Sequence, residues 1–223
     1  TTEKLTIENF SFFSHPRETV AQMNALTQAE ARCLSASINF LDTRCLDIGA
    51  WLVLSAMRSD MANVFTGGRI SNELSKVLAA LQLDEALGMA VHPVWPNEQD
   101  IWAFPVHRRR PAGTSKSANL HLEPQSKEMA GDALCLAINK WLVLVADQGL
   151  SKAGRRHVLG VVGETLDNAE RHANHVEYPD DSDWLLSGLM VRREVDGAEI
   201  FDCQLAFLSV GQSIACLLYT SDA

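Results

Sequence analysis

The sequence predicts an α/β first half followed by an α+β second half. Three observations carry that reading. Strand-like and helix-like stretches alternate through the first hundred residues. A proline-rich, basic and small-residue stretch then interrupts the pattern, and beyond it two long helical patterns run into a hairpin built around Asp196-Gly197.

In the first half, Leu5–Phe10 alternates apolar and polar residues as a strand does. From His15-Pro16 to Cys33 the pattern is helical, with Pro16 suited to a first turn. Ser37–Asp42 reads as a second strand and Ile48–Arg58 as a helix. A short strand at Asn63–Thr66 ends on Gly67-Gly68. Ser71-Asn72-Glu73 offers a helix start, followed by an apolar stripe at Leu74, Val77, Leu78, Leu81 and Leu83. Residues 1–105 are therefore expected to form one α/β domain.

Pro105, Pro111 and Pro124 frame the run His107-Arg108-Arg109-Arg110 and the small polar segment Ala112–Ala118. Residues 106–130 read as a linker or exposed crossing segment, and the arginines as a solvated turn. In residues 131–215, Ala133, Leu134, Leu136, Ala137, Trp141, Leu142 and Val145 suit one helix. A second runs from Lys152 to Ala173 with Ser151 as its cap. Trp184–Glu194 and Glu199–Ser209 are strands joined by the Asp-Gly turn.

Composition bounds function. The 223 residues are 47% hydrophobic and 21% charged, with 19 basic against 28 acidic residues and a net charge of −9. That is a globular chain, and its charge argues against nucleic acid or an anionic membrane as a partner. No apolar run, including Trp51–Ala56 and Trp141–Ala146, approaches the roughly 20 residues a membrane span needs. Five scattered cysteines without a CxxC pair read as free thiols, which points to a cytoplasmic location. His172, His175, Glu177, Asp180 and Asp181 read as a solvated acidic loop rather than a metal site. The chain begins without Met and reads as a fragment. Cys216–Ala223 is similar to the in-frame translation of a transposase sequencing adapter, so 216–223 is expected to be read-through.

The segment richest in chemistry is Glu164-Thr165-Leu166-Asp167-Asn168-Ala169-Glu170-Arg171-His172. Glu164, Asn168 and His172 fall four apart, hence in one column on a helix, while Leu159, Val162 and Leu166 turn toward an apolar side. A carboxylate, a carboxamide and an imidazole on a partly buried face would need partners, which a metal ion and an anionic ligand would supply.

The pattern Glu-x-x-x-Asn-x-x-x-His-Ala resembles the N-box of the GHKL fold, the ATP-binding fold of histidine kinases, gyrase B and anti-sigma-factor serine kinases. The resemblance implies a two-layer α/β sandwich, partial here, and Mg²⁺ and ATP as ligands. It implies that Asn168 ligates the Mg²⁺, that Glu164 is the catalytic group that activates the attacking water or hydroxyl, and that His172 lies near the phosphates. The family's Asp-x-Gly-x-Gly-Ile turn corresponds to Ser209-Val210-Gly211-Gln212-Ser213-Ile214, with Ser209 at the adenine-binding Asp position and Gly211 retained.

Asn39–Asp42 and Asp47-Ile48-Gly49-Ala50 are similar to STAS-like anti-sigma-factor-antagonist domains, which implies a mixed sheet with helices. Asp47 stands where those domains carry a phosphorylated Ser; it also suits an ordinary helix start. Together the resemblances imply a cytoplasmic signalling or regulatory protein, with ATP, a regulatory protein and a second copy of the chain as candidate partners. The alternative is an interaction module whose ATPase-like half no longer binds nucleotide.

Overall fold

The computed structural model describes residues 3–58, 61, 65–84, 87–89, 101–108, 126–172 and 183–210. They fall into two compact units, 3–89 and 101–210.

The first unit is α/β. Strands β1 (Glu3–Ile7), β2 (Ala36–Phe40) and β3 (Phe65–Arg69) form a sheet in the order β1-β2-β3. Helices α1 (Pro16–Ala31) and α2 (Ile48–Arg58) connect them, and α3 (Asn72–Ala80) follows. Both pairings are parallel, with Ile7 opposite Phe40 and Ile38 opposite Gly68. The described pairings of this sheet are thus all parallel. Helix α2 keeps the predicted bounds and buries Ile48, Ala50, Trp51, Leu52 and Leu54. Trp51 meets Phe10 edge-on at 5.1 Å and Phe40 at 4.9 Å.

Two strands shift from their predicted positions for local reasons. β1 stops at Ile7 because Asn9 turns to φ 52° and the Asn9 and Phe10 amides bond the Asp42 carboxylate. β3 runs through Gly67-Gly68 instead of ending there, since a Cβ at Gly68 would overlap the Ile38 carbonyl oxygen. α3 starts as predicted, with Ser71 Oγ accepting from the Leu74 amide at 3.1 Å.

The second unit is α+β. Strands β4 (Ile101–Arg108), β5 (Asp183–Val195) and β6 (Ala198–Val210) form an antiparallel sheet in the order β4-β5-β6. Helices α4 (Lys127–Ala146) and α5 (Lys152–His172) pack on it. Leu134, Ile138 and Trp141 of α4, Val162 and Leu166 of α5, and Trp184, Leu186 and Met190 of β5 make one core. Leu185 and Leu189, on the other face of β5, are buried as well. The hairpin turn has Asp196 at φ 52° and Gly197 at φ 78°, the positive pair that a two-residue Asp-Gly loop requires.

The expected boundary at 105 is corrected, and the expected linker at 106–130 is corrected at its two ends only. Val106, His107 and Arg108 are strand residues paired with the second unit, and α4 begins at Lys127, capped by Ser126. Pro105 hid the strand: it lacks an N–H, and the β4–β5 register shifts between Phe104 and His107 to accommodate it on an edge strand. Residues 109–125 and 211–223, including the expected adapter segment, lie outside the described residues.

Among the described residues, one helix is long and apolar enough to cross a membrane, α4. The sequence reading expected none, because it weighed Trp141–Ala146 apart from the residues before it. The inward residues of α4 are nonetheless core.

Candidate functional site

The candidate site is built on α5, 21 residues that leave the α4 turn at Gly149-Leu150. Asn139 Oδ1 accepts the Leu150 amide at 2.9 Å, and Ser151 caps the new helix by accepting from Gly154 at 3.0 Å. The inward stripe of α5 is Val162 and Leu166, both buried, flanked by the half-buried Val158 and Ala169.

Glu164 and Asn168 lie about 160° around the helix from Leu166, at 100° per residue, and both are solvent-exposed. This corrects the expectation of a partly buried polar column: two exposed groups carry no desolvation cost that a ligand must relieve. His172 is the last residue of α5, and its side chain lies outside what the structure describes. Ser209 sits near the end of β6, opposite Trp184 of β5, and is exposed. Gly211 lies outside the described residues. The structure therefore brings Glu164, Asn168 and His172 onto successive turns of one helix, and Ser209 onto the far strand of the hairpin.

A network that the sequence reading missed flanks this column. Lys127 of α4 pairs with Asp167 and, at 3.5 Å, with Glu170 of α5. Asp167 also meets Arg171 at 2.6 Å, and Glu170 accepts the Trp184 indole N–H at 3.1 Å. The Lys127 ammonium holds the Asp167 carboxyl below its ordinary range, with help from Arg171, and Asp167 in turn raises Lys127. Lys127, Asp167 and Glu164 line an open groove of about 480 Å³ between the two helices. Ser126 followed by a helical pattern was the available signal for Lys127, and the i, i+4 spacing was the signal for Asp167–Arg171.

In the first unit, Asp47 is 4% exposed and ties two amides, Phe12 and Gly49, each at 2.8 Å. It is the cap of α2 and a clamp on the 9–12 loop. Nearby, burial first, then the Asp47 and Asp42 charges, push the Cys45 thiol up to about 12.

Among the described residues, no cluster of three or more His, Cys, Asp or Glu could hold a metal. Among those residues a protein-only metal site has no ligand set. Mg²⁺ carried on nucleotide phosphates needs only one or two protein oxygens, and the exposed Asn168 carboxamide offers one. No family model matches the chain, and none of the curated proteins or solved structures matches it either.

Proposed function

We propose that the chain is a cytoplasmic signalling or regulatory protein whose second unit binds Mg²⁺-ATP on α5 in the manner of GHKL ATPases, with an STAS-like first unit. The observation that carries the reading is the division of α5. Val162 and Leu166 anchor the helix in the core, while Glu164 and Asn168 stay on its solvent side, free to meet a ligand. The sheet hairpin that follows, ending at Ser209-Val210 just before Gly211, matches the order of elements in that fold.

On this reading the Asn168 oxygen ligates the nucleotide-bound Mg²⁺. Glu164 accepts a proton from the attacking water or hydroxyl, and His172 stands near the phosphates. The test is calorimetric titration with Mg²⁺ and a non-hydrolysable ATP analogue. Asn168→Ala should weaken binding by about 1.5–3 kcal/mol, roughly tenfold to a hundredfold. Glu164→Gln should spare binding and depress turnover. Unchanged affinity in a folded Asn168→Ala protein rejects the reading.

One observation favours a second reading. Ser209 replaces the adenine-binding Asp and is exposed on β6, so the adenine amino group loses its charged acceptor. A degenerate, non-nucleotide-binding interaction module then remains, and the same titration would register no nucleotide heat for the unsubstituted chain.

A further inference from the structure

Gly68 of β3 stands opposite Ile38 of β2 and hence on the same face of the first sheet. It contributes no side chain, so a gap opens on that face at the carboxyl ends of the two strands. The gap is a pocket of about 270 Å³. Ile38 and Phe40 of β2, Ile70 just after β3, and Leu87 and Met89 beyond α3 give it apolar walls. The segment beyond α3 is fixed before any ligand arrives. The Leu87 amide bonds the Leu83 carbonyl at 3.0 Å, and the Met89 amide bonds the Asp84 carbonyl at 2.9 Å. Small-molecule sites have such walls, largely pre-formed, and open α/β sheets place them beyond the carboxyl ends of their strands.

One polar side chain is set among these walls. Ser75 of α3 lines the pocket and is 6% exposed. Its amide bonds the Ser71 carbonyl at 3.0 Å, but among the described residues nothing bonds its hydroxyl. Ser55, buried in α2, shows the ordinary alternative: it donates to its own helix at the Leu52 carbonyl, 2.7 Å away. A buried hydroxyl without such a bond is unfavourable until something pairs with it. Arg69 also borders the pocket, but it stands opposite Asn39 and so belongs to the other face of the sheet. A ligand inside therefore meets a hydroxyl and no charge.

Size narrows the choice further. A cavity of about 150 Å³ accepts benzene, so about 270 Å³ suits roughly eleven non-hydrogen atoms in proportion. A nucleotide is too large. Phe40 offers a ring against which another ring can stack, which favours an aromatic ligand.

We infer that this pocket binds a small uncharged aromatic molecule carrying one hydroxyl or ring N–H, and that this polar group pairs with Ser75. The site lies in the first unit, so the inference does not rest on nucleotide binding at α5.

The experiment is a methyl-detected NMR titration of the whole 223-residue chain with two probes. 1-Naphthol has the required size and one hydroxyl; 1-methylnaphthalene is its isostere without one. 1-Naphthol should bind with a Kd below about 1 mM and shift the Ile38, Ile70, Leu87 and Met89 methyls together. Ser75→Ala should weaken 1-naphthol about three- to tenfold, the worth of one hydrogen bond, and leave 1-methylnaphthalene within about twofold. Ile70→Trp fills the pocket and should abolish binding of both. The free Ser75→Ala protein should melt no lower than the unsubstituted chain, because the hydroxyl holds nothing without a ligand. Equal losses for the two probes overturn the inference, as do shifts confined to methyls outside the pocket, or none that saturate. A lowered melting temperature for Ser75→Ala also overturns it, by making the hydroxyl a partner within the fold.

Discussion

Replacing Asp47 tests whether the buried carboxylate at the start of α2 is structural. Its two carboxylate oxygens each accept one backbone amide at 2.8 Å, from Phe12 and Gly49, and the residue is 4% exposed, so water cannot take its place. Hydrogen bonds to a charged group are worth about 1.5–3 kcal/mol each, and removing the acceptor leaves both amides unpaired. Asp47→Ala should therefore cost about 3 kcal/mol or more. At roughly 4–8 °C per kcal/mol for a domain of 60–100 residues, the first unit's melting temperature should fall by about 12–24 °C. Asp47→Ser, the residue the STAS-like pattern carries, keeps a short cap to Gly49 but cannot span to Phe12. It should lose about half as much. Thermal unfolding followed by circular dichroism reads the totals, and hydrogen exchange reads the Phe12 amide, which should lose protection in both variants. A loss below about 1 kcal/mol for Asp47→Ala, with the Phe12 amide still protected, would refute the clamp.

Lys127→Met should flatten the acid limb of the second unit's stability. The Asp167 carboxyl is lowered, so its contribution is present above its unfolded pKa and fades as pH falls through the folded one. Urea midpoints of the two proteins should converge in acid, and a pH-independent gap would refute the coupling. Cys45, its thiol pushed up to about 12, should resist iodoacetamide at neutral pH while the exposed Cys33 is alkylated, as peptide mass mapping would register. Equal rates would show that the loop around Cys45 opens freely.

Patterns that depend on neighbours in sequence were legible before any coordinates. The bounds of α2, the Ser71 cap of α3, and the Asp196-Gly197 hairpin all follow from residues within a few positions of one another. What stayed hidden depends on distant partners. β4 reads as a linker because Pro105 is a breaker locally, yet pairing with β5 some 80 positions on tolerates it at an edge. Lys127 is a plain basic residue until α5 brings Asp167 beside it. The site column shows the same division: its spacing was legible, whereas its exposure was set by which side of α5 the sheet and α4 cover.

That exposure has a consequence for how α5 can be tested. Leu166 is 1% exposed and sits in the core with Trp184 and Leu134, so Leu166→Ala should cost about 2–5 kcal/mol through the cavity it leaves. Asn168, two residues on, faces solvent, so Asn168→Ala should cost under about 0.5 kcal/mol. The two side chains leave the helix about 160° apart and share no partner, which makes their effects on stability additive within about 0.5 kcal/mol in the double variant. Chemical denaturation of the four proteins closes the cycle. An Asn168→Ala cost comparable to that of Leu166→Ala would mean that Asn168 packs inward. The division of α5 into an anchoring side and a ligand side would then fail, and with it the argument for Mg²⁺-ATP.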